Sequence, residues 1–220
     1  MKTDMQLQRD VIEELAWQPN IHEAEIVVAA RNGVITLSGF VASYAQKYAA
    51  ARAAERVHGV RAVADELGVK LPSASVRSDI AIAHAAVSAL TWAVEVPDHR
   101  VQVLVDDGWV SLDGAVDWQF QRIAAEQAIR SLTGVKGVIN RVSVQQPNVS
   151  AYEVNQRIEE ALKRSAALDA TRISIEARNG RVVLRGTVRS WAERADAERA
   201  AWSSPGVSEV DDEIAVAFQP

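Results

Sequence analysis

The chain has 220 residues, enough for one large domain or two to three small ones, and 48% hydrophobic against 24% charged residues excludes global disorder. A net charge of −5 argues against a nucleic-acid binder, and no apolar run reaches the ~20 residues that span a bilayer, so a transmembrane chain is not expected. Cysteine is absent, which removes disulfides, thiolate metal sites, iron–sulfur clusters and cysteine nucleophiles. The stretch from Met1 to Asp10 lacks the apolar segment of a secretory leader. As written the chain is expected in the cytoplasm, with the periplasm as the alternative if a leader is missing.

A short string recurs three times: Asn32-Gly33-Val34-Ile35-Thr36-Leu37-Ser38-Gly39, Asp107-Gly108-Trp109-Val110-Ser111-Leu112-Asp113-Gly114 and Asn179-Gly180-Arg181-Val182-Val183-Leu184-Arg185-Gly186. Its leading glycines lie 75 and then 72 residues apart, and the copies extend both ways without a gap. This predicts three modules at 3–71, 78–146 and 150–218, with Pro72-Ser73-Ala74-Ser75 and Gln145-Gln146-Pro147-Asn148 as short links.

Each copy opens at a helix-capping residue, Thr3, Ser78 or Ser150. An apolar stripe follows at helical spacing: Leu7-Val11-Leu15, Ile82-Ala86-Leu90 and Val154-Ile158-Leu162. Next comes a period-2 segment: Ile26 and Val28; Val101, Val103 and Val105; Ile173, Ile175 and Ala177. Asn32-Gly33, Asp107-Gly108 and Asn179-Gly180 supply the positive φ of a tight hairpin turn. The second strand of that hairpin carries Ile35 and Leu37, Val110 and Leu112, or Val182 and Leu184 on one face.

A second helix begins near Ser43, Trp118 and Ser190, with capping boxes expected at Ser43/Gln46 and Ser190/Glu193. Its inward residues are small, Ala50, Ala53 and Ala54 in the first copy, so it can lie close to its sheet. Gly59, Gly134 and Gly206 are expected to stop that helix as its first residue beyond the cap. A third alternating strand closes each copy through Leu67 and Val69, Val142 and Val144, or Ile214 and Val216. The fold class is therefore α/β (α+β): three tandem α-β-β-α-β modules, each a small three-stranded mixed sheet with two helices.

The run through Asn-Gly-x-Val-x-Leu-x-Gly, an Ala-rich helix and Gly-Val before a final strand resembles the BON (bacterial OsmY and nodulation) domain. Three copies cover nearly the whole chain. The resemblance implies a bacterial, non-enzymatic binding module associated with phospholipid or membrane surfaces and with osmotic stress. It implies no cofactor. The expected partner is anionic phospholipid or a membrane-associated protein. A protein–protein scaffold and a cytosolic small-ligand or ion sensor are the alternatives.

No catalytic or metal constellation stands out. His22, His58, His84 and His99 occupy four different repeat positions, whereas a duplicated metal site would keep them in register. Asp106-Asp107 and Asp211-Asp212-Glu213 are more commonly solvated charge than cation ligands. Gly39, Gly114 and Gly186 read as bulges or close passes of backbone, here against a helix. Trp17 and Trp92 are expected at the edge of the core. Trp109 falls on the outward side of its strand, as an interdomain contact or a membrane anchor. Arg181, Arg185 and Arg189 form an outward basic stripe on an acidic chain, suited to anionic headgroups or else paired with Glu176, Glu193 and Asp196. Arg181, Arg185, Arg189 and Trp109 are thus the candidate lipid-binding residues.

Overall fold

The computed structural model describes residues 2–21, 25–97, 99–146, 149–164 and 172–217. His22 and the Pro147-Asn148 part of the second link lie outside them. The first copy contains α1 (Asp4–Ala16), β1 (Ile26–Arg31), β2 (Val34–Val41), α2 (Tyr44–Arg56) and β3 (Ala62–Val69). The second contains α3 (Asp79–Trp92), β4 (Val101–Asp106), β5 (Trp109–Val116), α4 (Gln119–Arg130), β6 (Gly137–Asn140) and β7 (Ser143–Val144). The third contains α5 (Ala151–Arg164), β8 (Ile173–Arg178), β9 (Arg181–Val188), α6 (Trp191–Trp202) and β10 (Glu209–Val216). The chain divides into two compact units, residues 1–114 with 123–141 and residues 115–122 with 142–220.

Each sheet is mixed, and its hairpin's second strand is central. β2 pairs antiparallel with β1 and parallel with β3. β9 pairs antiparallel with β8 and parallel with β10. β5 pairs antiparallel with β4, and its parallel neighbour is split into β6 and β7. The helix between second and third strands is the crossover that a parallel pair requires.

The apolar stripes meet where the spacing places them. In the first copy Leu7, Val11 and Leu15 of α1 join Ile35 and Leu37 of β2 and Ala50, Ala53 and Ala54 of α2 in one buried cluster. The third copy repeats it with Val154, Ile158, Leu162, Val182, Leu184, Ala197 and Ala201. Ile82, Ala86, Leu90, Val110, Leu112, Ala125 and Ile129 are buried at the matching positions of the second. Each large aliphatic side chain taken from water contributes roughly 1.5–3 kcal/mol. The opposite sides of α1 and α5 carry Arg9, Glu13, Glu159, Glu160, Lys163 and Arg164, with Met5, Ile12 and Tyr152 also exposed.

Local chemistry sets the boundaries. Thr3 and Gln6 form a capping box at α1, and Ser78 and Ser150 each accept from a backbone N–H three residues on. Ser43 and Ser190 cap α2 and α6 in the same way. Their expected boxes differ in one bond: Gln46 accepts from Ala42 N–H and Glu193 from Arg189 N–H, one residue before the cap. The turns have both central residues at positive φ, for example Asn32 at 52° and Gly33 at 78°.

Gly59, Gly134 and Gly206 do not occupy the expected first position beyond the helix. α2 is capped by Val57 and α6 by Ser203, and the glycines follow in a separate turn. There Val60 N–H bonds Val57 O, Val135 N–H bonds Leu132 O, and Val207 N–H bonds Ser204 O. Positive φ at the third residue of these turns is the reason for glycine, and Pro205-Gly206 is the favoured pair for it. Gly39, Gly114 and Gly186 are close passes, and the neighbour is the residue just before each copy's first strand rather than an α-helix. A Cβ at each would overlap the carbonyl oxygen of Glu25, Arg100 or Arg172.

Candidate binding surfaces

Both helices of a module cover one face of its sheet, so alternate residues of each strand face the other way. Cross-strand register aligns these outward residues in rows. The middle row is Ala29-Thr36-Ala64 in the first copy, Leu104-Ser111-Ile139 in the second and Glu176-Val183-Asp211 in the third. The row beside the turn is Arg31-Val34-Ala62, then Asp106-Trp109-Gly137, then Arg178-Arg181-Glu209. One fold thus presents outer faces of different chemistry.

The third face is an ion-pair lattice. Arg181 bonds Asp211 through two guanidinium nitrogens and approaches Glu209 at 3.9 Å. Arg185 bridges Glu213 at 2.7 Å and Glu176 at 3.1 Å, and Arg189 binds Glu193 at 2.7 Å. The three candidate arginines are exposed, and each is engaged by carboxylates. Hydrogen bonds to Asp211 hold the Arg181 guanidinium pKa above its ordinary value, and those to Glu213 and Glu176 do the same for Arg185. Exposed pairs of this kind contribute little to stability, because solvent screens them and two long side chains must be held in place. They do cancel the stripe's positive field.

The second face carries an apolar patch flanked by Gln102, Asp106 and Asp113. Trp109 points away from the buried Val110 and Leu112, as alternation requires, and remains half exposed. Its indole lies across Gly137, its register partner on β6, where a Cβ would collide with the ring. Leu104 is 63% exposed and Ile139 is also exposed, with the small buried Ser111 between them. The sequence reading missed Leu104 and Ile139. The signal was the Val-Leu-Val run on β4, where an outward position carries leucine instead of a polar residue. The first face resembles the second: Val27, Val34 and Phe40 are exposed, and Phe40 lies over Gly68.

Trp17 and Trp92 are not at the core edge. They are 82% and 85% exposed, because each sits at the last turn of its helix, beyond the stripe that ends at Leu15 or Leu90. The acidic clusters are used in ion pairs: Asp107 with Lys136 at 2.8 Å, and Asp212 with Arg194 at 2.6 Å. Among the described residues no group of three His, Asp or Glu side chains is placed to hold a metal ion. An open depression of about 200 Å³ is lined by Val87, Leu90, Thr91, Val96, Pro97, His99 and Val101. That is smaller than the roughly 300–1,000 Å³ of small-molecule sites, and His99 is its one titratable side chain.

Within the first unit, Tyr44 and Tyr48 of α2 meet α4 of the second copy. The Arg130 guanidinium stacks 3.7 Å from the Tyr48 ring centroid, a cation–π contact. Burial and the nearby Glu126 carboxylate raise the Tyr44 hydroxyl pKa, with a hydrogen bond to the Val138 backbone opposing them. Among the described residues no helix is long and apolar enough to cross a membrane.

The chain is 38% identical over 125 residues to Osmotically-inducible protein Y of Escherichia coli (strain K12), an alignment taking in 55% of this chain and 62% of that protein. The chain therefore matches less than two thirds of that relative's length. Among solved structures, CdsD, a structural protein of the type III secretion system of Chlamydia trachomatis, aligns at 14% identity and a TM-score of 0.28, covering 97% of this chain and 93% of the other. The PrgH periplasmic domain aligns at 10% identity and a TM-score of 0.22, covering 95% and 100%. The BON domain matches three times, at residues 3–70, 78–146 and 153–217, and the chain belongs to the BON domain family.

Proposed function

We propose that this chain is a non-enzymatic, osmotic-stress-related binding protein that docks on phospholipid surfaces through the apolar outer faces of its first two sheets. The observation that carries the reading is the exposed Leu104-Trp109-Ile139 patch. In the third copy the same fold carries Glu176, Arg181 and Asp211 there, so the apolar residues are not a requirement of the module. Contiguous exposed apolar surface of this kind marks interaction sites, and a half-exposed tryptophan suits the boundary between headgroups and acyl chains. Family membership supports lipid as the ligand, and the relative's name supports osmotic stress as the setting.

Charge plays a minor part in this reading. A free cation near an anionic membrane gains on the order of 1 kcal/mol. Arg181, Arg185 and Arg189 would have to leave their carboxylates to collect it. Cosedimentation with phosphatidylcholine and with phosphatidylglycerol vesicles, at low and high salt, tests the proposal. Comparable binding to both, weakly sensitive to salt, is expected. Binding to anionic vesicles alone, lost as salt rises, would assign docking to the arginines instead. Binding to neither would favour a protein scaffold, a reading supported by the Tyr44 and Tyr48 contact between the first two copies.

A further inference from the structure

The three hairpin turns share a backbone shape but differ in how they are held. Their central pairs, Asn32-Gly33, Asp107-Gly108 and Asn179-Gly180, are all at positive φ. Asparagine is chemically labile, and most exposed to attack before glycine, which has no Cβ to shield its backbone nitrogen. Asn32 and Asn179 are the two asparagines of the chain that precede glycine. In the first copy the Asp4 carboxylate accepts from the Asn32 N–H at 2.8 Å and from the Gly33 N–H at 3.1 Å. Asp79 engages Asp107 and Gly108 in the same way. α5 begins instead with Ala151, and among the described residues no side chain accepts the Gly180 N–H. Gly33 and Gly108 are buried, whereas Gly180 is partly exposed and Asn179 is exposed.

We infer that Asn179 is a site of spontaneous covalent modification, converting to aspartate and isoaspartate through a cyclic imide, while Asp4 protects Asn32. The Gly180 nitrogen gives its proton to a solvent base and bonds to Asn179 Cγ. The bond from Cγ to the side-chain nitrogen breaks, and that nitrogen takes the proton back and leaves as ammonia. Water then opens the imide. Attack at Cγ gives aspartate; attack at the main-chain carbonyl carbon gives isoaspartate, in which the chain runs through Cβ and Cγ. One water is consumed and one ammonia released, and nothing is oxidised or reduced.

In the first copy this route is blocked at its first step. Ionising the Gly33 amide beside the Asp4 carboxylate would set two negative charges at hydrogen-bond distance and break a charge-assisted bond. The same carboxylate ties both turn amides to α1, so the nitrogen cannot swing towards Cγ. The carbonyl sides of the two turns are alike: Gly33 O accepts from the Arg61 N–H and Gly180 O from the Ser208 N–H, both at 2.8 Å. The difference lies at the nitrogen. Conversion would add a carboxylate next to Arg178 and Arg181, the pair that closes the third hairpin. Isoaspartate would also lengthen the main chain by one carbon where the turn sets the register of β8 on β9.

The test holds the folded full chain in mildly alkaline buffer made with oxygen-labelled water and follows both asparagines by peptide mapping. A glutamyl endopeptidase at mildly acidic pH releases residues 26–55 and 177–193, with one Asn-Gly pair in each. Label in the new carboxylate marks conversion that took place before digestion. Asn179 should convert at least about tenfold faster than Asn32, the effect on a rate of one hydrogen bond to a charged group. Asp4→Ala, held well below its unfolding temperature, should raise the Asn32 rate towards that of Asn179. Ala151→Asp should lower the Asn179 rate towards that of Asn32. In urea the two sites should convert at similar rates. Equal rates in the folded parent overturn the inference. So does an Asn32 rate unchanged by Asp4→Ala, or a difference between the sites that persists in urea.

Discussion

Asp79 binds the hairpin turn through Gly108: its Oδ1 accepts from the Gly108 N–H at 2.9 Å while its Oδ2 accepts from the Asp107 N–H at 2.9 Å. Asp4 does the same for Asn32 and Gly33 at 2.8 and 3.1 Å. The first residue of the first helix thus fixes where the hairpin ends. The third copy has Ala151 at this position and lacks that carboxylate.

Asp79→Ala should therefore destabilise the second copy by about 1 kcal/mol, the usual scale for losing a charged acceptor at a partly solvated backbone site. Ala151→Asp should stabilise the third copy by a similar or smaller amount. Denaturant unfolding of the two variants checks both signs. A destabilising Ala151→Asp would mean that the third turn is held differently.

Gly114→Ala should be among the costliest single-methyl changes in the chain. Gly114 sits at φ 141°, and the added Cβ would overlap the Arg100 carbonyl. Strain of this kind costs roughly 1–3 kcal/mol before the backbone shifts. A loss of about 3 kcal/mol is expected in chemical denaturation, with the same ordering at Gly39 and Gly186.

The sequence shows the elements because each residue type there has one local role. Asn-Gly and Asp-Gly set the turns, i and i+4 aliphatics set the helix stripes, and alternation puts Ile35 and Leu37 inward. The strand order is not visible, since parallel pairing of β2 with β3 depends on where the α2 crossover returns. The surface is less legible still. Arg181 and Arg185 read as a basic stripe because their partners, Asp211 and Glu213, come roughly 30 residues later and meet them only through parallel register. Trp17 and Trp92 read as the edge of the core because hydrophobicity alone does not reveal that the buried stripe has already ended.

Tyr44 gives a pH dependence with a definite sign. Its hydroxyl is raised from the usual 10.0 by burial first and by Glu126 second, so the folded state favours the neutral form. The resulting stability is fully present below pH 10 and declines as pH climbs through the raised value. Alkaline titration of thermal stability should show this decline in the parent and a smaller one in Tyr44→Phe.

Replacing Arg181 and Arg185 together with serine should leave stability close to the parent's, since both pairs are solvent-exposed. Leaving Asp211, Glu209 and Glu213 without their arginines makes this face acidic. Unfolding at low and high salt should show a larger deficit at low salt, where like charges are less screened.

The most direct test of the account compares three proteins on phosphatidylcholine vesicles: the parent, a Leu104→Ser/Trp109→Ser variant and an Arg181→Ser/Arg185→Ser variant. Removing the two apolar side chains should weaken vesicle binding about tenfold or more, since burying each contributes roughly 1.5–3 kcal/mol. The arginine variant should bind as the parent does. Loss of binding in the arginine variant, with the Leu104→Ser/Trp109→Ser protein unaffected, would contradict the assignment of docking to the apolar sheet face.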